Sequence, residues 1–103
     1  MDYKLKVTYA ADRDLRGIVR YLMEELQAPD AAAHFLRQVE TCYAHIRVYP
    51  KMYVLCENAV SKTDGLRKAV IGNYVLIYQT DDKQKQATVL RLFYGRQDYY
   101  KDI

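Results

Sequence analysis

Near the start of the chain, Tyr3, Leu5 and Val7 alternate with Lys4 and Lys6. A period of two predicts a strand with one wet face. The period then changes. Leu15, Ile18, Val19, Leu22 and Leu26 recur at helical spacing, with Thr8 placed as an N-cap. Asp12 and Asp14 sit early, where a helix N-terminus favours negative charge. Gly17 lies inside this helix at a cost of about 1 kcal/mol relative to alanine, which points to a close crossing with another element. The stretch "QAPDAAAHF" turns the chain, with Pro29 and Asp30 stopping one helix and starting the next. Ala32, Leu36, Val39, Tyr43 and Ile46 form a second stripe, with Phe35 and Cys42 beside it, and Pro50 closes that helix. Two stripes joined by a short turn make an antiparallel helical hairpin.

"MYVLCENAVSKTDG" has no clear period and reads as a loop, with a short extended piece at Tyr53–Leu55. From Leu66 the strands return. "LRKAVI" leads through Gly72–Asn73 into "YVLIYQT", and the polar turn "DDKQKQ" leads into "ATVLRLFY". The order β-α-α-β-β-β predicts an α+β fold. It has an N-terminal strand, an antiparallel helical hairpin and a three-stranded antiparallel meander, with the hairpin packed on one face of the sheet. The sheet's other face is expected to stay open, because no further element remains to cover it. Residues 1–103 form one domain, with no internal repeat and no low-complexity linker.

A chain of 103 residues is long enough for a hydrophobic core that needs no disulfide or metal. Cys42 and Cys56 are far apart and in no metal-ligand spacing; Cys42, beside Val39 and Ile46, reads as a small buried hydrophobe. His34 and His45 have no adjacent cysteine or acidic ligand pattern, so no metal site is expected. Gly65, Gly72 and Gly95 are separate turn glycines rather than a phosphate loop, and no hydrolase signature occurs. No cofactor is expected. The N-terminus is not a signal peptide and no apolar run approaches a membrane span, so a soluble cytoplasmic protein with reduced thiols is expected. Net charge is +3. Residues 1–61 balance eight Lys/Arg against eight Asp/Glu, whereas residues 62–103 carry eight against five. The excess in the C-terminal part suggests one mildly basic surface suited to RNA, DNA or an acidic partner.

The chain ends in "YGRQDYYKDI". Gly95 frees the backbone to turn as the last strand ends. That turn would place Arg96 at the sheet margin near Lys68 and Arg67, with Arg91 extending a basic strip along the last strand. Tyr94, Tyr99 and Tyr100 cluster around Arg96 in sequence. Two readings stay open for them: stacking on a base or contact with a protein partner, and packing of the tail on the sheet edge.

The segments "DRDLRGIVRYL", "DAAAHFLRQVE", "VYPKMY", "GLRKAVIGNYVLIYQTDD" and "ATVLRLFYGRQDYY", in this order and with these lengths, resemble the RelE/ParE superfamily of bacterial type II toxins. The resemblance spans nearly the whole chain and implies a helical hairpin against a curved sheet. In that superfamily, RelE-like members cut messenger RNA in the ribosomal A site, and ParE-like members bind and poison DNA gyrase. Both are neutralised by a cognate antitoxin that wraps the toxin surface. Lys68 matches one of two lysines that the nucleases tend to carry, and Val70 occupies the place of the other. Val75 stands where the nucleases often have an arginine, and Gln97 stands where a second basic residue is common after Arg96.

The resemblance therefore implies Lys68, Arg96 and Tyr99 as candidate catalytic residues, with Tyr100 the alternative stacking aromatic. Arg67, Arg91, Tyr94 and Tyr100 are candidates for contact with nucleic acid or another target. RNA cleavage without a metal needs proton transfer at the 2′-hydroxyl and leaving oxygen, and stabilisation of extra phosphate charge. Missing cations remove that stabilisation directly. With the long hairpin, this implies a growth-inhibiting toxin of the ParE-like, gyrase-poisoning kind. The alternatives are a RelE-like ribosome-dependent endoribonuclease, and a degenerate non-toxic module that binds the antitoxin and assists autorepression. The implied partners are a small acidic antitoxin and either DNA gyrase or the ribosome with its message, and no membrane.

Overall fold

A computed structural model describes residues 2–56 and 65–95. In chain order the elements are β1 (Lys4–Val7), α1 (Tyr9–Arg20), a π-helical turn (Tyr21–Glu25), α2 (Pro29–Val48), β2 (Leu66–Ile71), β3 (Tyr74–Asp81) and β4 (Gln86–Tyr94). The four strands form one sheet in the order β1-β4-β3-β2. β2, β3 and β4 are the antiparallel meander that the apolar runs and the turns between them predict. β1 joins parallel to β4, with Lys4 opposite Gln86 and Val7 opposite Val89.

Local chemistry explains the junctions. Thr8 sits in extended backbone and its Oγ1 accepts from the Ala11 N–H at 3.1 Å. The same hydroxyl donates to the Leu90 carbonyl at 2.9 Å, so one side chain both starts α1 and fixes it to β4. Pro29 occupies the first turn of α2, where its missing N–H costs nothing. The β2–β3 loop is Gly72–Asn73, and Gly72 has φ +59, the positive first position of a type II′ hairpin turn. In the β3–β4 turn, Asp81 accepts from the backbone N–H groups of Lys83 and Gln84 at 3.0 and 3.2 Å. The short extended piece after α2 is present: Leu55 bridges to Arg67, the Cys56 N–H donates to the Leu66 carbonyl, and the Lys68 N–H to the Val54 carbonyl.

The main core lies between the helices and the sheet. Phe35, Val39, Cys42 and Ile46 of α2 meet Ala69, Ile71, Leu76, Tyr78, Val89 and Leu92 of the strands, with Ala11 of α1. Tyr78 is fully buried, and its hydroxyl donates to the Pro50 carbonyl at 2.6 Å. Burial pushes the Tyr78 phenol up to about 12.

Four sequence expectations change here. Leu26 does not continue the α1 stripe. The π-helical turn, closed by the Leu26 N–H to the Tyr21 carbonyl, shifts the register and leaves Leu26 53% exposed. Leu36 is 37% exposed because the buried line of α2 runs through Phe35, Val39 and Cys42. Gly17 marks no crossing among the described residues: apart from the helix's own backbone, none of them lies within 4 Å of where its Cβ would be. The second face of the sheet is not open. Leu66, Val75, Ile77 and Phe93 are buried there together with Cys56, as a core of their own with Leu90 packed against it.

Candidate functional site

Strand register places the candidate cations. On the face away from the helices, Lys68 stands opposite Ile77, and Ile77 opposite Arg91. The two cations therefore share one row, separated by two strand spacings, roughly 10 Å. The next row is Val70, Val75 and Phe93. It is apolar throughout, so the two valines that stand in place of nuclease cations are cross-strand neighbours.

The cations differ in how far their charge is already committed. Arg91 holds Asp14 of α1 through two bonds, Nε to Oδ2 at 2.7 Å and Nη2 to Oδ1 at 3.2 Å. Asp14 Oδ2 also accepts from the Leu92 N–H at 3.0 Å. The pair is largely shielded, with side chains 26% and 15% exposed, and the guanidinium lies 4.6 Å from the Phe93 ring centroid. Asp14 thus caps the stretch of β4 edge that β1 is too short to reach. Sequence reading missed this role: an acid in the first turns of a helix looks like ordinary dipole compensation. Its only other signal is Arg91 on a strand edge 77 residues away.

Arg67 is on the opposite face from Lys68, in register with Tyr78. Its Nη1 donates to the Lys51 and Tyr53 carbonyls at 3.2 and 2.7 Å, which fastens the segment after α2, and its buried Nε has no partner. Lys68 makes no ion pair among the described residues. It lies beside the buried Cys56, whose thiol is pushed up by burial and drawn back by the lysine charge.

Tyr94 is on the helix side, in register with Tyr74, and the two rings meet edge-on at 5.8 Å. Gly95 follows, and its N–H donates to the Asn73 carbonyl at 2.7 Å. A Cβ at Gly95 would come within 3.0 Å of that oxygen, so glycine is needed there for close approach. The chain consequently leaves β4 beside the β2–β3 turn. Arg96, Tyr99 and Tyr100 lie outside the described residues. The register thus brings Lys68 and Arg91 onto one face and sends Arg67 and Tyr94 to the other.

Among the described residues, no three His, Cys, Asp or Glu side chains gather where a metal could be held. His34 and His45 both line a shallow groove along α2, and His45 Nδ1 lies 3.4 Å from the Tyr53 hydroxyl. No described helix is long and apolar enough to cross a membrane.

Comparison with known proteins gives a consistent picture. The family model described as the ParE toxin of type II toxin–antitoxin system, parDE, matches residues 5–99. No curated protein matches the chain. Among solved structures, the chromosomal ParDE toxin–antitoxin system from P. aeruginosa superposes with a TM-score of 0.70 at 17% identity, covering 89% of this chain and 95% of that one. The toxin–antitoxin complex RelBE2 from Mycobacterium tuberculosis gives 0.65 at 22% identity, covering 91% and 99%. The archaeal RelE–RelB complex from Pyrococcus horikoshii gives 0.64 at 19% identity, covering 94% and 99%. At these identities the likeness is one of fold.

Proposed function

The chain belongs to the ParE toxin family of type II toxin–antitoxin systems, and on that premise we propose that it inhibits growth when free by poisoning DNA gyrase and is held inactive by a cognate antitoxin. The supporting observation is the small amount of uncommitted positive charge on the second sheet face. Of the candidate cations described, Arg91 is neutralised by Asp14 and Arg67 is turned to the other side, which leaves Lys68. The row beside it is Val70, Val75 and Phe93. A metal-free nuclease has to stabilise an additional phosphate charge with positioned donors, and one lysine beside an apolar row is poorly equipped for it. What that row exposes suits protein contact: Val70, 69% exposed, stands next to Lys68 on the same strand face. The structures of relatives in complex with their partners support an antitoxin as the first partner. A small acidic protein would complement the net charge of +3.

Expression in a bacterium without the antitoxin should slow growth, and co-expression of an adjacent antitoxin gene should restore it. Lys68→Ala and Arg96→Ala, made in parallel, should then be read in two assays: gyrase supercoiling with cleavage-complex accumulation, and ribosome-dependent message cleavage. The proposal expects inhibition of supercoiling by the wild-type chain and no message cleavage. Message cleavage that both variants lose would assign the chain to the nuclease branch. Unimpaired growth with abundant folded chain, together with tighter operator binding by the antitoxin, would assign it to a non-toxic corepressor role.

A further inference from the structure

Strand β2 is an edge of the sheet. The two-residue loop makes Ile71 and Tyr74 the closing bonded pair, so Ile71, Ala69 and Arg67 turn their backbone groups to β3. Leu66, Lys68 and Val70 turn theirs outward. At the first two, the chain covers its own edge: the Leu66 carbonyl accepts from the Cys56 N–H at 2.9 Å, and the Lys68 N–H donates to the Val54 carbonyl at 3.0 Å. The cover stops there. Neither the N–H nor the carbonyl of Val70 has a partner among the described residues, and Val70 is 69% exposed. Sheets usually blunt such an edge with proline, a bulge or an inward charge. This one carries a β-branched residue of high strand propensity. The edge opens into the groove beside α2, with Val70 and Ile71 on one wall. His34, Arg37, Gln38 and Thr41 form the other, a polar stripe at helical spacing. Cys42 is buried between the walls, and His45 and Tyr53, in contact with each other, lie toward the C-terminal end of α2. No carboxylate lines the groove; Asp30, one turn before His34, is outside it. Arg37 is exposed and, like Lys68, in no ion pair among the described residues.

We propose that the open edge of β2 takes a short, acidic, extended segment of a protein partner, paired antiparallel through Val70. The target that the toxin attacks does not enter this inference. The backbone selects the class of occupant. A residue opposite Val70 accepts from its N–H and donates to its carbonyl, two bonds from one residue. A helix has no such groups to offer, because its own ladder uses them. A phosphate can accept from the N–H but would set an anion against the outward Val70 carbonyl, which only a donor satisfies. Charge then selects the composition. The residue opposite Val70 places its side chain beside Val70 and Lys68, and its two neighbours point to the helix side, where Arg37 stands. An apolar residue flanked by two carboxylates fits that pattern. A second copy of this chain fits it less well: paired at Val70, it would bring its own Arg37 and His34 to the same side of the joined sheet, adding cations where the groove has no carboxylate.

The test uses the purified full-length chain and a blocked pentapeptide, Thr-Glu-Val-Glu-Thr, raised to millimolar concentration. Binding is followed by the NMR shift and hydrogen exchange of the Val70 amide, and melting temperature is recorded for every variant. The Val70 amide should exchange readily in the chain alone and become protected as the peptide binds. N-methylation of the central valine removes the donor to Val70 and should weaken binding about tenfold or more. N-methylation of a flanking glutamate, whose N–H points away from β2, should leave affinity nearly unchanged. Val70→Pro removes the outward N–H without touching the ladder to β3, and should likewise weaken binding. Arg37→Glu should weaken binding of this peptide and strengthen that of Thr-Lys-Val-Lys-Thr, each about threefold. The proposal is overturned if the Val70 amide is already protected in the chain alone, or if the peptide does not protect it. It is also overturned if the two N-methylated peptides bind alike, or if the chain self-associates and Val70→Pro makes it monomeric, which would assign the edge to a second copy. Binding is read without gyrase, ribosome or growth, so a chain that proves non-toxic still tests this site.

Discussion

The two faces of the sheet make different use of the same strands. On the helix side, Leu76, Tyr78 and Val89 pack under α2, and one polar atom buried there, the Tyr78 hydroxyl, is bonded to Pro50. On the other side, Val75, Ile77 and Phe93 form a smaller core bordered by Lys68 and Arg91. The first face uses helices to exclude water. The second brings charge to the edge of an apolar row, then neutralises one cation and leaves the other. A face that carries candidate recognition residues is thus also a folding core, so substitutions on it have to be separated into those that unfold the chain and those that silence it.

The sharpest way to break this comparison is to truncate one residue on each face. Leu76 and Ile77 are neighbours on β3, and both are 0% exposed. Leu76→Ala and Ile77→Ala should each cost about 3 kcal/mol in urea unfolding. A cost below about 1 kcal/mol for Ile77→Ala would mean that the second face collapses easily around the gap. The next effect is at the border. Asp14→Ala leaves the Arg91 guanidinium and the Leu92 N–H without their acceptor, and about 2 kcal/mol should be lost. Asp14→Asn should recover part of that by keeping an oxygen for the Leu92 N–H.

Lys68→Ala sharpens the contrast in the opposite direction. Growth inhibition should be lost while unfolding free energy changes by less than about 0.5 kcal/mol, because a half-buried cation with no ion pair among the described residues carries little stability. Equal loss of stability and of toxicity would place Lys68 in the core rather than at a recognition edge. The smallest effect belongs to neither face. Asp82 accepts from Lys51 at 2.7 Å and from the Tyr3 hydroxyl at 2.7 Å, which hold its carboxyl below its ordinary 3.8. A carboxyl lowered on folding adds stability above its unfolded pKa, and that contribution fades as pH falls toward the folded value. Asp82→Asn should therefore lower stability slightly near neutrality, and its difference from wild type should vanish as pH falls below ~4.

How legible this was from the sequence depended on range. Elements set by local composition and local chemistry were readable: the apolar run of β3, the Thr8 cap and the Gly72–Asn73 turn each depend on a few neighbouring residues. The parallel pairing of β1 with β4 was not readable, because a polar-apolar strand specifies a wet face and no partner. Leu26 was misplaced because a single i→i+5 bond shifts the helical phase, and nothing in "YLMEEL" announces it. In the site, register could be read only once the strands were paired. It then separated Arg67 from Lys68, which sequence adjacency had put together. Arg91 looked like free charge because its partner, Asp14, sits at the other end of the chain.

The β1–β4 pairing has a consequence for synthesis. Lys4–Val7 can find no seat until Gln86–Val89 have been made, and Thr8 and Asp14 wait for Leu90, Arg91 and Leu92. A polypeptide released before that point has an N-terminal strand with nothing to join, a bare flank on β3 and an α1 anchored to no strand. Translation interrupted before Gln86–Val89 should therefore yield fragments that do not fold and are left to proteases, and the face shared by Lys68 and Arg91 would come into being only once β4 has been made.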